Sequence, residues 1–261
     1  MTNYKAQVIR SESGAPEIAY RETAIEAPIS IEFNGVGYAV MMATPTDLED
    51  FVIGFAISEM LIERTDQIGP IGVHEHEKGW IIRANLNPNK AEVIFERART
   101  RIAESSCGLC GLENLELVDR PLPKVSAHSQ IPSQHVFSAL GALHEHQPLN
   151  RATGGVHAAA WVDETGAIRC AREDVGRHNA LDKLIGATAQ GDMAVSQGFI
   201  LATSRCSYEI VEKSVIAGAT TLVTISVPTT LAIERATSSG LSLICLARDD
   251  AYLKFNGNIR K

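Results

Sequence analysis

The chain contains 261 residues, of which 45% are hydrophobic, and it carries a formal net charge of −7. This length allows one large or two modest domains with a real core. The negative charge argues against binding a nucleic-acid polymer, although a local cluster of arginines and backbone N–H groups could still hold one small anion. Neither a secretory signal nor an apolar run of about 18 residues is visible, so we expect a cytoplasmic protein without a membrane segment. Five cysteines, an odd number, favour thiol chemistry, metal binding or core packing over a disulfide framework.

The first part of the chain predicts a small α+β unit. Residues 1–35 indicate an N-terminal arm that runs into a strand, and residues 38–45 form a second strand that ends at a proline. Thr46 followed by Glu49 forms a capping box, which predicts that a helix begins there. The apolar residues that follow recur at helical spacing, and they are Leu48, Phe51, Val52, Phe55 and Ala56.

Two further strands are predicted over residues 80–86 and 91–98, around the turn residues NPNK. Regular periodicity then stops between residues 103 and 134, where Gly, Cys, Pro and Ser indicate a loop. We therefore predict an N-terminal α+β domain over residues 1–125 that ends in this loop, at about residues 103–125.

The loop contains the motif CGLC, whose thiols belong to Cys107 and Cys110. Two thiols at this spacing suit half of a zinc site, a dithiol redox pair or a nucleophile with a helper. Zinc sites commonly use four ligands, and the sequence has no second CxxC, so we favour a reactive thiol and expect no structural metal. Cys170 and Cys245 lie in predicted strands, where a cysteine usually packs in the core.

The second half of the chain predicts a layered α/β domain over residues 126–261. A helix over residues 133–146 precedes a hairpin made of the strands HAAAWVD and AIRCARE. Helices near residues 176–188, 207–218 and 229–239 then alternate with the apolar strands GFILAT, TLVTIS and LSLICLA. Such alternation is typical of α/β architectures.

Polar and glycine-rich segments interrupt this domain where its elements meet. Paired glycines in TGGVH, which includes Gly155 and His157, could let a ligand approach the backbone, but a tight turn before a strand explains them equally well. The block AREDVGRHNALDK is dense in hydrogen-bonding groups, among them Arg177, His178 and Asn179. Its Asp174 is a candidate N-cap, and a solvated helix face with i,i+4 ion pairs is the alternative interpretation.

Three more polar segments follow predicted strands. The helix after GFILAT opens with Ser204, Arg205 and Ser207, and Thr229 stands in a similar position after TLVTIS. Helix N-termini at the carboxyl ends of strands are where α/β proteins hold phosphates. The last segment follows LSLIC and consists of Leu246, Ala247, Arg248, Asp249, Asp250 and Ala251. Together these loops predict one site for an anionic ligand.

These motifs in combination resemble the FdhD family of formate dehydrogenase accessory sulfurtransferases. The matching blocks run through most of the chain and are TPTDLEDFVIGFAISEMLI, SSCGLCG, TGGVHAAA, AREDVGRHNALDKLIG, SRCSYEIVEKSVIAGAT, VPTTLAIERA and GLSLICLAR. The resemblance implies a C-terminal three-layer domain similar to cytidine deaminases. It also implies that sulfur arrives from a cysteine desulfurase as a persulfide. The implied acceptor is the molybdenum bis-molybdopterin guanine dinucleotide cofactor, which is sulfurated before its insertion into formate dehydrogenase.

By motif position, the resemblance assigns the persulfide to Cys107 and a cofactor-binding segment to residues 246–251. Cys110 could assist transfer by thiol exchange. GDP is then the expected analogue of part of the cofactor, with Asp249 or Asp250 accepting from the guanine amino group. The expected partners are the cysteine desulfurase, the formate dehydrogenase apoenzyme and a second copy of the chain in a homodimer.

Two other functions compete with sulfur transfer. A non-catalytic chaperone that holds the cofactor and docks to the apoenzyme would need the loops but not Cys107. A zinc-dependent deaminase would need His-x-Glu followed by Pro-Cys-x-x-Cys. Here Ala158 and Ala159 follow His157, and the CxxC precedes this histidine, which argues against deamination.

Overall fold

The computed structural model of the protein describes residues 1–11, 15–104, 121–125, 131–191 and 193–255, with the backbone alone for 99–104. It is a mixed α/β structure whose described strands form three sheets. The first sheet is a two-stranded antiparallel ribbon of β1 (Thr2–Val8) and β2 (Glu17–Thr23), where the sequence predicted an arm. Within the described ranges, none of the helices combines the length and the apolarity that a membrane span requires.

The second sheet forms the N-terminal α+β unit. Its strands are β3 (Ala27–Phe33), β4 (Val36–Ala43), β5 (Gly72–His76) and β6 (Gly79–Ala84), and the unit's helices are α1 (Leu48–Ser58) and α2 (Ala91–Glu104). The strand order is β4-β3-β6-β5. Strands β3 and β6 are parallel, and the other two pairs are antiparallel.

The third sheet organises the second half of the chain. Its strands are β7 (His157–Asp163), β8 (Ile168–Asp174), β9 (Gly198–Ala202), β10 (Thr221–Thr224), β11 (Ser242–Cys245) and β12 (Leu253–Phe255). The helices are α3 (Ser133–Leu143), α4 (Pro148–Thr153), α5 (Arg177–Gln190), α6 (Tyr208–Ile216) and α7 (Thr230–Ser239). The strand order is β12-β11-β10-β9-β7-β8, with β9, β10 and β11 parallel and β7 antiparallel to both neighbours. The predicted hairpin and the predicted alternation of helices and strands are confirmed.

Apolar side chains cover both faces of this six-stranded sheet. Alternate residues of a strand point to opposite faces, and β7 shows the result. Ala159 and Trp161 join the core cluster that also contains residues of α5, α6 and α7. Ala160 and Val162 join a second cluster that contains Val136 of α3. The sheet is therefore the middle of three layers, whereas the similarity to cytidine deaminases stays a prediction.

Helices α1 and α5 cross in backbone contact, and this crossing joins the two halves of the chain. A Cβ atom on Gly54 would lie 1.7 Å from the carbonyl oxygen of Asp182, and one on Gly186 would lie 1.9 Å from that of Asp50. Only glycine allows so close an approach. One core cluster therefore runs from the N-terminal sheet into the C-terminal one. The proposed domain boundary at residue 125 stays a prediction.

The strand predicted over residues 91–98 is wrong, because these residues belong to helix α2. Ile94 and Ala98 are buried at a spacing of one helical turn. Alanine, glutamate and arginine, which surround them, are good helix formers. The apolar residues Val93, Ile94 and Phe95, which resemble a short strand, therefore lie on a helix instead.

The predicted capping box at the start of α1 is also absent. The N-cap is Asp47, which has left-handed backbone angles and makes no side-chain capping bond. Contacts from distant residues hold the preceding turn, since the backbone N–H of Thr44 donates to Asp174 Oδ2 at 2.9 Å. Tertiary hydrogen bonds thus outweigh the local signal of Thr46 and Glu49.

We expect Gly54→Ala to lower the free energy of unfolding by about 3 kcal/mol, because the added methyl group forces α1 away from the backbone of α5. Gly141 in α3 provides the matched control, since a Cβ atom there meets nothing within 4 Å. Gly141→Ala should be neutral or stabilise by up to about 1 kcal/mol through helix propensity. Urea unfolding followed by circular dichroism measures both variants. Equal unfolding midpoints for Gly54→Ala and the unchanged protein would contradict the backbone crossing.

Candidate functional site

Five connecting segments meet along one edge of the six-stranded sheet. The parallel strands β9, β10 and β11 all end at this edge, and residues 203–207, 225–229 and 246–251 follow them. Strand β7 begins there and β8 ends there, because His157 pairs with Asp174 in their antiparallel register. Strands lie about 4.8 Å apart, so the edge from β8 to β11 measures roughly 19 Å. The segments predicted to share one site therefore lie side by side.

Backbone hydrogen bonds link neighbouring segments of this edge. The N–H of Cys206 donates to the carbonyl oxygen of Val227 at 3.1 Å, and the N–H of Thr229 donates to that of Cys206 at 3.0 Å. The N–H of Leu246 donates to the carbonyl oxygen of Ser226 at 3.2 Å. Leu246 adopts a left-handed backbone with φ of 51°, which is costly for a branched side chain. The bonds along the edge hold the segment in this conformation.

Two histidines lie in the middle of the edge. His157 Nδ1 lies 3.5 Å from Thr203 Oγ1, and His178 Nε2 lies 3.2 Å from Glu209 Oε2. Burial, reinforced by Arg177, lowers the pKa of His157. Both rings are therefore neutral at pH 7, since the unperturbed pKa is already about 6.5 and His178 is shifted in the same direction.

Of the two histidines, His178 has the more strongly lowered pKa. Burial lowers the pKa of His178 to about 4, and the positive charges of Arg177 and Lys213 act in the same direction. The carboxylate of Glu209 is half-exposed, and its attraction does not offset these effects. The permanent positive charge of this region therefore comes from arginine and lysine.

Two buried polar atoms close to these histidines have no hydrogen-bond partner in the part of the chain that the structure describes. They are Nε of Arg177 and Oγ of Ser207. Ser207 is the N-cap of α6, yet its hydroxyl makes no capping bond. A buried donor without a partner costs about 1–3 kcal/mol. An anion at the N-terminus of α6 would accept from such donors and meet the positive end of the helix dipole.

A buried ion pair fixes the start of α5 behind this region. Lys183 Nζ lies 2.7 Å from Asp174 Oδ2, and both side chains are 0% exposed. Asp174 Oδ1 accepts from the N–H of Gly176 at 2.8 Å and from Asn179 Nδ2 at 3.0 Å. The N-cap of α5 is Gly176, so the interpretation of Asp174 as an N-cap is wrong. Asn179, which we expected to contact a ligand, directs its amide into this network and to the carbonyl oxygen of Met42.

Glu173 positions the glycine turn on the other flank. Its carboxylate accepts from the N–H groups of Leu149 and Asn150, both at 2.8 Å, at the start of α4. Helix α4 ends at Gly154, whose φ of 67° is left-handed. Gly154 and Gly155 are both exposed. The turn therefore exposes backbone without side chains at the edge of the sheet where His157 and His178 lie.

The last predicted segment is held mainly by backbone atoms. Arg248 Nη1 donates to the carbonyl oxygen of Ile225, and the N–H of Arg248 donates to that of Ala251 at 2.8 Å. The arginine therefore braces the segment against its neighbour. Asp249 and Asp250 are exposed, so their carboxylates face solvent at the edge.

The remaining predicted residues differ in what their side chains do. The hydroxyl of Thr229 accepts from the N–H of Ala232 at 3.2 Å and so caps α7. Ala247 is buried in the second core cluster. Ser204 is buried, whereas Arg205 is exposed. Arg205 is thus the member of this group with a charged side chain at the surface of the edge.

Cys107 and Cys110 lie outside the described residues. Cys170, Cys206 and Cys245 are free and buried, which confirms the expected core packing of the first and last of these. A hydrogen bond to Cys245, together with burial, raises the pKa of the Cys206 thiol, and burial raises that of Cys170. Buried thiols of raised pKa are poor nucleophiles. Among the residues described, no group of three or more His, Cys, Asp or Glu side chains could hold a metal ion, and the expected absence of structural metal stays a prediction.

Sequence reasoning missed a second buried network beside the histidines. Lys213 Nζ lies 2.7 Å from Asp182 Oδ2, and Ser58 Oγ donates to Asp182 Oδ1 at 2.6 Å. The only local signal is the i,i+4 spacing of Glu209 and Lys213 in α6, which normally indicates an exposed helix face. The lysine instead links α6 to α5 and adds positive charge near His178.

The chain is similar to members of one family along nearly its whole length. The model of the FdhD/NarQ family matches residues 24–260. A protein from Xanthomonas oryzae pv. oryzae named sulfur carrier protein FdhD is 43% identical over 242 residues, which cover 93% of this chain and 86% of that one. A protein of the same name from Burkholderia cenocepacia is 40% identical over 255 residues, covering 95% and 92%. A crystal structure described as that of a formate dehydrogenase accessory protein from Desulfotalea psychrophila matches with a TM-score of 0.75 at 23% identity, covering 99% of this chain and 97% of that one. This last likeness supports the fold.

We expect stability to fall as the pH drops from about 6.5 to about 4, in part through His178. The pKa of His178 is lowered to about 4 in the folded protein, whereas in the unfolded chain it is about 6.5, so the unfolded state binds more protons in this window. His178→Gln should reduce the loss of unfolding free energy between pH 7 and pH 5 by about 2 kcal/mol. Urea unfolding at both pH values measures this, with His74→Gln as an exposed control. An unchanged pH dependence in His178→Gln would contradict the buried, neutral imidazole.

Proposed function

Because this chain belongs to the FdhD/NarQ family, we propose that it is a sulfur carrier for the molybdenum cofactor of a formate dehydrogenase. In this proposal Cys107 accepts sulfur from a cysteine desulfurase as a persulfide. The sulfur then passes to the molybdenum bis-molybdopterin guanine dinucleotide, which is the substrate of the protein. The relatives' name, sulfur carrier protein, supports sulfur transfer. The description of the structural neighbour as a formate dehydrogenase accessory protein supports a role in the maturation of such an enzyme.

The observation that carries the ligand-binding part of the proposal is a local excess of donors on an acidic chain. The formal net charge is −7, yet Arg177 and Ser207 have buried donor atoms without partners in the described residues. Charge-assisted bonds from arginine to phosphate are about twice as strong as neutral ones. The guanine nucleotide part of the cofactor supplies such phosphates. Asp249 and Asp250, which are exposed at the same edge, can accept from a guanine amino group.

The loading step is a thiol exchange. The thiolate of Cys107 attacks the outer sulfur of the desulfurase persulfide, a new S–S bond forms, and the desulfurase cysteine leaves as a thiolate. No net oxidation or reduction occurs. Cys110 can later attack the inner sulfur of the Cys107 persulfide, which would release hydrosulfide and leave a disulfide between the two cysteines. The three buried thiols do not compete in this exchange, since they are shielded from an incoming persulfide.

The proposal assigns three partners to the chain. Two are the cysteine desulfurase and the formate dehydrogenase apoenzyme, which follow from a carrier that must visit a donor and an acceptor. The third is a second copy of the chain in a homodimer. A carrier without catalytic sulfur chemistry, acting only as a cofactor chaperone, is the competing function, and the role of Cys107 separates the two.

We expect Cys107→Ser to abolish persulfide loading. After incubation with a cysteine desulfurase and cysteine, intact mass spectrometry should detect one added sulfur on the unchanged protein, removable by reductant. The Cys107→Ser variant should gain none, whereas Cys170→Ser, which changes a buried thiol, should still be loaded. Formate dehydrogenase activity in cells should be lost only in Cys107→Ser. Full activity in that variant would favour the chaperone function instead.

We expect GDP to bind at the edge of the six-stranded sheet where β9, β10 and β11 end, and we expect ADP to bind there more weakly. Arg177→Ala should weaken GDP binding about tenfold or more, because a charge-assisted bond contributes about 1.5–3 kcal/mol. Arg169→Ala is the control, since this arginine pairs with Asp163 at the opposite end of β8. Isothermal titration calorimetry measures the binding of GDP and of ADP to the unchanged protein, and the binding of GDP to each of the two variants. Equal affinity for GDP and ADP would show that the base is not recognised, and normal GDP binding by Arg177→Ala would exclude that arginine.

A further inference from the structure

The N-terminal ribbon brings a guanidinium group to the glycine turn of the site. Strand β2 packs against α4, and α4 ends at Gly154. A Cβ atom on Gly154 would lie 3.2 Å from Nη2 of Arg21. The glycine also has a left-handed φ of 67°, so the position disfavours a side chain on two grounds. The bare turn thus leaves room for the guanidinium directly against the backbone.

Arg21 differs from most arginines of the described chain in its surroundings. Arg10, on the same ribbon, pairs with Glu17 at 3.1 Å, and Arg83 and Arg169 each pair with a carboxylate. Within the described ranges, the guanidinium of Arg21 forms neither a salt bridge nor a side-chain hydrogen bond, and the residue is exposed. Its five N–H donors are therefore available to a ligand that binds at the turn.

We propose that Arg21 is a further anion-binding residue of this site, which donates to a phosphate oxygen held at the Gly154–Gly155 turn. The inference rests on the proposed function, because it takes the ligand to be the guanine nucleotide part of the cofactor. A planar guanidinium suits phosphate geometry and binds it through two parallel hydrogen bonds. Arg177, whose charge acts on His157 at the start of β7, would supply a second guanidinium group to the same ligand.

Arg21 lies outside the segment that the family model matches. The family model begins its match at residue 24, so the ribbon that carries Arg21 precedes the segment that the model describes. The ribbon would then add a contact to a site whose other residues lie within the matched segment.

A purely structural role for Arg21 predicts different behaviour. The turn follows the C-terminus of α4, where carbonyl groups and the helix dipole attract positive charge. If that attraction were the whole role, loss of Arg21 would lower the melting temperature of the ligand-free protein and leave GDP affinity unchanged. An anion-binding role predicts the reverse pattern.

The test compares Arg21→Ala, Arg21→Lys and Lys5→Ala by calorimetry with GDP at fixed salt, and by melting temperature without ligand. Lys5 is the control because it pairs with Tyr20 while Arg21 pairs with Tyr4, so the two cations lie on opposite faces of the ribbon. We expect Arg21→Ala to weaken GDP binding about tenfold, Arg21→Lys to recover part of that loss, and Lys5→Ala to bind as the unchanged protein does.

Unchanged GDP affinity in Arg21→Ala would overturn the inference and leave the proposed function intact. An equal loss in Lys5→Ala would also overturn it, because the effect would then be one of overall charge. If Arg21→Ala loses both affinity and melting temperature, the inference stands only if Arg21→Lys regains affinity. Absence of GDP binding to the unchanged protein would overturn the guanine nucleotide site of the proposed function, and this inference with it.

Discussion

The carboxylate of Asp174 accepts three hydrogen bonds and forms one ion pair, and the arrangement of the two halves of the chain depends on it. Its partners are the N–H of Thr44, the N–H of Gly176, the amide of Asn179 and the ammonium of Lys183. Burying an ion pair costs several kcal/mol per charge, which is recovered only when every remaining lone pair and proton is satisfied. Here the carboxylate is fully engaged, so the pair holds the end of β4 against the start of α5 in one orientation. The backbone crossing of α1 and α5 then follows as the neighbouring contact of the same interface.

A fixed start of α5 determines the electrostatics of the site. Arg177 and His178 are the first residues of that helix, and their direction is set by the network behind them. Because burial keeps His178 and His157 neutral, the imidazoles add donors and acceptors without adding repulsion between cations. The positive charge at the edge is thus concentrated on guanidinium and ammonium groups. Such a local field attracts a small anion, whereas the net charge of −7 on the whole chain repels a long polyanion.

How much the sequence predicts depends on how local each interaction is. The strands and helices that were predicted after residue 155 are correct, because each apolar strand is bounded by polar turns and its pattern lies within a short stretch of sequence. The edge strand β12 was not predicted. The strand expected at 91–98 is wrong because a short apolar run such as Val93-Ile94-Phe95 occurs in strands and in helices alike. The capping box at Thr46 fails because residues about 130 positions away bind the same turn. For the site, the shared edge was predictable from strand ends, whereas the inward direction of Asn179 depended on packing that one sequence does not display.

The block Arg172-Glu173-Asp174 explains why a motif dense in charge is only partly a binding motif. Consecutive residues of a strand point to opposite faces, so these three side chains reach different neighbours. Arg172 binds Asp50 of α1 at 2.7 Å, Glu173 holds the start of α4, and Asp174 holds β4 and α5. Each anchors an element that borders the edge, and together they fix the glycine turn and residues 177–178 at the same edge of the sheet. The charges that look like ligand contacts in the sequence are thus largely the scaffold, whereas Arg177 Nε and Ser207 Oγ have no partner among the described residues.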